Sequence, residues 1–98
     1  MCQEIAKAAW DQTFICEAYL NIIICADFSR TTKRYGERGV RYVLMEVGHC
    51  AQNIHLEAVA LGLASVPIGA FKDNLVKKIM ELPDNIDPLY IVPIGYKQ

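Results

Sequence analysis

Between positions 40 and 61, apolar or small residues recur at 40, 44, 47, 51, 54, 58 and 61, in alternating steps of four and three. That period belongs to an α-helix packing along one face. A helix over 41–61 would be about 30 Å long at ~1.5 Å per residue. Gly62 is the expected stop, because glycine takes the left-handed conformation that closes a helix. Met45, Gln52, Leu56 and Val59 form a second strip, so the helix is expected to be buried on more than one side. Glu46, Asn53 and Glu57 read as outward, and His49 reads either way. Gly48 sits mid-helix at a cost of ~1 kcal/mol against alanine. Close packing by a neighbouring helix is the favoured compensation, ahead of contact with a flat ligand.

The chain has 98 residues, a net charge of −1 and a hydrophobic fraction of 53%. We read residues 1–98 as a single domain. So small a domain buries proportionally little surface, which predicts leftover apolar surface and an oligomer or companion chain. The near-neutral charge argues against nucleic acid. The basic cluster Arg30, Lys33, Arg34, Arg38 and Arg41 is interrupted by Glu37. It reads first as a solvated face and second as a phosphate or carboxylate site. No apolar run reaches the ~18 residues of a membrane span, and the first residues lack the pattern of a signal peptide. Cys2, Cys16, Cys25 and Cys50 show no metal-pair spacing. They predict a reduced, cytoplasmic protein with buried thiols.

Taken in order, residues 3–17 suit one helix with Trp10 and Phe14 as an i,i+4 pair. The β-branched run at 19–26 suits a strand covered on both faces. Residues 27–35 suit a short helix capped by Asp27 or Ser29. Gly36 and Gly39 bracket a turn into the long helix. Residues 65–69 read as extended or loop, because Pro67 disfavours a helical Val66. A helix capped by Asp73 or Asn74 carries Leu75, Val76, Ile79 and Met80 and stops before Pro83. A loop at 83–88 leads to a strand at 89–94, placed at an edge because Pro93 cannot donate to a ladder. The arrangement is α/β or α+β, and two obvious strands again suggest a partner.

The residue chemistry is sparse. His49 and Cys50 are adjacent on a helix, point about 100° apart and cannot meet as a catalytic pair. His49 and His55 read as structural, since no carboxylate or thiolate completes a metal set; no metal role is expected. Residues 36–39 lack the Lys-Ser/Thr and preceding strand of a phosphate loop.

Arg38-Gly39-x-Arg41-Tyr42, Glu46-x-Gly48-His49-x-x-Gln52-Asn53, Ala60-Leu61-Gly62-Leu63 and Val66-Pro67-Ile68-Gly69-Ala70-Phe71 together resemble the C-terminal half of the nitroreductase family. The branch they resemble most is the SagB-type oxidoreductases, which include azoline dehydrogenases. Residues 88–95 are similar to that family's last core strand. The resemblance implies a partial nitroreductase-like α/β (α+β) fold with a small, mainly antiparallel sheet. It implies an intertwined homodimer built on the long central helix, with FMN at the interface and NAD(P)H as donor. In the family, the segment matching Pro67, Ile68, Gly69 and Ala70 passes the flavin ring, and a backbone amide there addresses N5. Gly69 and Ala70 are small enough for such an approach; a turn needing small residues is the plain alternative.

The chain also departs from the pattern. A complete family domain is longer, and nothing before Trp10 resembles its arginine-rich phosphate-binding segment. Lys97 is the basic residue left near the C-terminus for that phosphate. The azoline-oxidising branch carries a Lys-Tyr pair before the Gly-x-x-Gly turn; here Tyr35 follows Arg34, with Lys33 one place earlier. Two functions follow. One is an FMN-dependent oxidoreductase, or half of one completed by a companion chain, with Tyr35 and Arg41 near the substrate. The other is a truncated, non-catalytic dimerisation module that has lost the flavin. A fragment of a longer enzyme is a third reading.

Overall fold

Strand β3 (Asp87–Tyr96) is the centre of the fold in the computed structural model, which describes residues 1–96. Strands β1 (Leu20–Ala26) and β2 (Leu63–Ser65) flank it, both antiparallel, in the order β1-β3-β2. Side chains alternate across the sheet with period two. On one face, Ile91 and Ile23 meet Ile5, Ala9, Ile15 and Val76. These come from α1 (Cys2–Ala8) and the residue after it, α2 (Phe14–Glu17) and α5 (Asp73–Ile79). On the other face, Val92, Ile94, Ile22 and Ile24 meet Ile54 and Ala58 of α4 (Arg38–Ala60). Helix α3 (Ser29–Tyr35) packs on α4. The expected mixed fold with a small antiparallel sheet is present, with a third strand.

Several local expectations change. Pro93 lies in the central strand, opposite Asn21, rather than at an edge. Its carbonyl accepts from the Val66 N–H at 3.3 Å. In an antiparallel strand a residue's nitrogen and carbonyl face the same side, so the absent donor falls where β2 has already ended. Strands β1 and β2 are the edges instead; the residues of β1 are half-buried, with Leu20 exposed, rather than covered on both faces. The single helix expected over 3–17 breaks at Trp10 and Asp11, both at φ 58°. Trp10 and Phe14 are therefore not a helical pair, and the Trp10 ring lies under the Lys72 ammonium at 4.9 Å. Cys2, Cys16 and Cys50 are exposed rather than buried. Cys25 alone is half-buried, and burial, followed by the nearby Asp87 charge, pushes its thiol up.

The long helix begins at Arg38, three residues earlier than the spacing suggested, and Gly62 at φ 77° closes the turn after it. Gly39 sits inside its first turn, not in a preceding turn. A Cβ there would stand 3.0 Å from the Thr32 backbone, so glycine is what lets α3 cross so near. The predicted stripe is divided. Val47, Ala51 and Ala58 are buried, whereas Val40, Leu44 and Leu61 are exposed. The second strip is bare among the described residues: Met45, Leu56 and Val59 are all more than half exposed. Gly48 lies between them, and a Cβ there would meet nothing within 4 Å.

The two glycines should therefore respond with opposite signs. Gly39→Ala is expected to destabilise by about 1 kcal/mol or more, from overpacking against Thr32. Gly48→Ala should stabilise the monomer by up to ~1 kcal/mol through helix propensity. Urea midpoints of the two variants measure both. A destabilised Gly48→Ala variant would mean that something approaches that face closely.

Candidate functional site

Pro67 keeps Val66 extended, so the chain leaves β2 still running beside β3. Ile68 then exchanges both backbone hydrogen bonds with Ile91, at 2.8 and 3.0 Å. Its side chain is buried in the core beside Phe71. Pro67, Gly69 and Ala70 stay exposed on either side of this anchor. The turn at 9–13 braces the far side. Gln12 Nε2 donates to the Ala70 carbonyl at 3.2 Å and to the Ala9 carbonyl at 2.8 Å. The Lys72 N–H donates to the Ala8 carbonyl at 2.7 Å. A surface loop is thereby held at three points.

Gly69 is not forced by its own backbone, since its φ lies outside the left-handed region. A Cβ there would touch only the Tyr90 ring, at an ordinary 3.6 Å. The amides of Gly69 and Ala70 find no acceptor among the described residues. A fixed loop with two unpaired, exposed donors and no side chain at Gly69 can receive the edge of a flat acceptor-bearing ring. The plain alternative is a turn needing small residues. These observations fit an isoalloxazine edge; no basic side chain lies in the loop itself to hold a phosphate. Lys97 lies outside the described residues.

The other candidates sit on a different part of the fold. Tyr35, at the end of α3, stands edge-on to Tyr42 with ring centroids 5.3 Å apart. The Arg34 guanidinium lies over the Tyr35 ring at 5.4 Å, and Arg38 Nε donates to the Tyr42 hydroxyl at 3.0 Å. Tyr35 shares a surface depression with Thr31, Tyr42 and Glu46. Arg41 lines another, with Glu37, Val40, Leu44 and Met45. Neither depression includes residues 67–70.

Two supports were not legible in the sequence. Gln12 reaches Ala70 across 58 positions, and no local pattern announces such a bond. His55 Nδ1 meets Ser65 Oγ at 2.5 Å, tying α4 to the strand that feeds the loop. Its Nε2 is buried without a partner among the described residues.

Asp27 fixes the base of α3. Its carboxylate accepts from the Ser29 N–H and hydroxyl and from Asn85 Nδ2, and faces Arg30 at 3.5 Å. The Ser29 hydrogen bond first, then that of Asn85, holds its carboxyl below the ordinary value.

Comparison with known proteins gives a consistent result. The model described as the nitroreductase family matches residues 2–96. A Methanocaldococcus jannaschii protein provisionally named a nitroreductase is 49% identical over 94 residues, 96% of this chain and 46% of that protein. The NAD(P)H-dependent FMN reductase of Bacillus subtilis is 30% identical over 108 residues, 96% of this chain and 43% of that protein. The chain thus spans about half the length of the curated relatives it matches. A solved Anabaena variabilis structure, also provisionally titled a nitroreductase, superposes with a TM-score of 0.89 at 28% identity. It covers 98% of this chain and 20% of that one. The NADPH:FMN oxidoreductase of Vibrio harveyi, solved with NAD+, gives 0.85 at 24% identity, over 99% of this chain and 46% of that one, a likeness of fold alone.

The depressed Asp27 carboxyl predicts an acid limb in stability. A lowered folded value means that its contribution is present above the unfolded value, near ~4, and is lost as pH falls through the folded one. Asp27→Asn should lower stability at neutral pH and flatten the decline below about pH 4. Thermal melts between about pH 2 and 7 check it; an unchanged slope would sink the assignment.

Proposed function

The chain belongs to the nitroreductase family, and from that premise we propose that it acts as an FMN-dependent NAD(P)H oxidoreductase, or as the C-terminal half of one. Residues 1–98 form one unit in this reading. The observation that carries it is the braced loop at 67–70, whose Gly69 and Ala70 amides have no acceptor among the described residues. FMN bound there would supply the hydride-transferring centre, which the protein side chains do not provide. The chain's own part is placement. Pro67 and the Ile68–Ile91 pair fix the loop, and the amides offer donors to the ring edge. Gly69 leaves room for the approach. We assign Lys97 to the phosphate, and Tyr35 and Arg41 to the approach of a small organic acceptor.

We place the chain in the SagB-type branch on residues 38–53 and 60–71. The bare strip Met45, Leu56 and Val59 on α4 supports a homodimer, or a companion chain that also supplies phosphate contacts. No helix among the described residues is long and apolar enough to cross a membrane, and we assign the protein to the cytoplasm. That same strip favours a second reading, a dimerisation module without flavin.

Titration of the purified chain with FMN, followed by absorbance and by mass in solution, separates the two. A saturable shift of the flavin bands with a dimeric mass is expected, and Gly69→Val should weaken binding at least about tenfold by crowding the ring. An NAD(P)H oxidation assay follows. A folded dimer that shifts no flavin band would overturn the flavin reading and leave the interaction module.

A further inference from the structure

Cys2 opens α1 and Cys16 lies in α2, and these two short helices pack on each other. The break at Trp10 and Asp11 turns the chain so that both cysteines line one cavity of about 480 Å³. Ile5, Ile15, Tyr19 and Met80 complete much of its wall. Both thiols are free and exposed. Cys25 is half-buried in β1, and Cys50 lies on α4, across the sheet from α1 and α2.

We propose that Cys2 and Cys16 form a reversible intrachain disulfide that locks α1 onto α2 along the wall of this cavity. Both residues line the wall of the same cavity, where the two helices that carry them pack on each other. Interaction with the Cys2 side chain is the first cause holding the Cys16 thiol above its ordinary value, followed by desolvation and the Cys2 charge. Exchange is therefore faster in mildly alkaline solution, where the thiolate is available.

The oxidant is a low-molecular-weight disulfide. One cysteine thiolate attacks a sulfur of that disulfide, forms a mixed disulfide and expels the first small thiolate. The other cysteine thiolate attacks the protein-bound sulfur and expels the second. Two S–H bonds are lost and one S–S bond forms in the protein. The small disulfide gains two electrons, and the two protons end on the released thiols. The cross-link spans the turn that contains Gln12, so oxidation constrains the segment that holds the Ala70 carbonyl. The disulfide does not depend on flavin binding.

The test equilibrates the purified chain in glutathione redox buffers at about pH 8.5, quenches by alkylation and digests with a glutamate-specific protease. Glu4 and Glu17 place Cys2 and Cys16 in separate peptides, with Cys25 in a third. The expected product is a monomer carrying two fewer alkyl groups than the fully reduced, alkylated chain, with peptides 1–4 and 5–17 joined. Its melting temperature should rise by on the order of 5 °C or more. Cys16→Ser should abolish the mass loss, the linked peptide and the thermal shift together. Cys2→Ser, at an exposed helix start, gives the same readout if Cys16→Ser fails to fold. Thiols that stay reduced in the most oxidising buffer would overturn the proposal. So would oxidation giving only mixed or intermolecular disulfides.

Discussion

The reciprocal backbone pair between Ile68 and Ile91 is the constraint on which the rest of the molecule depends. It joins the central strand of the sheet to the loop whose Gly69 and Ala70 amides find no acceptor among the described residues. Ile91 is fully buried, and its neighbours across the core come from α1, α2 and α5. Removing the pair would leave four backbone groups, two N–H and two C=O, without partners, at roughly 1–3 kcal/mol for each that stays buried. The loop is therefore anchored in the core as well as braced at the surface by Gln12. That is how a few exposed residues can keep a fixed geometry.

Much of this arrangement was legible in the sequence. The four-three alternation located α4, and Gly62 marked its end. The start of α5 was located to within a residue, although its N-cap is Lys72 rather than Asp73 or Asn74, and no side chain caps it. What escaped was set by distant contacts. The break after Ala8 depends on Gln12 and Lys72 bonding across the chain, which propensity along residues 3–17 does not encode. Pro93 was misplaced because its tolerance in a central strand depends on where β2 stops. The extended or loop character of residues 65–69 was legible from Pro67. The bracing of the 67–70 loop, and the freedom of its amides, appear only once Ile91, Gln12 and Tyr90 are in place around it.

Helix α4 shows how periodicity can be right while burial is not. Its spacing gave two apolar strips, yet residues 1–96 cover only one along its middle. Val40, Leu44, Met45, Leu56, Val59 and Leu61 keep their apolar surface in water at an unfavourable ~25 cal/mol per Å². A chain of about half its relatives' length has fewer elements with which to cover such a helix. Gly48, costly where it sits and touched by nothing in the monomer, belongs to the same uncovered surface.

The position of β3 also sets a timetable for folding. The strand at the middle of the sheet is made after both strands that pair with it. On the ribosome, β1 and β2 emerge with no partner between them, and Ile22, Ile23 and Ile24 wait as an unpaired β-branched segment. Sheet closure then waits for β3 and joins residues more than sixty positions apart, such as Ile22 and Val92. A nascent chain stalled before residue 87 would present an unpaired, aggregation-prone strand edge.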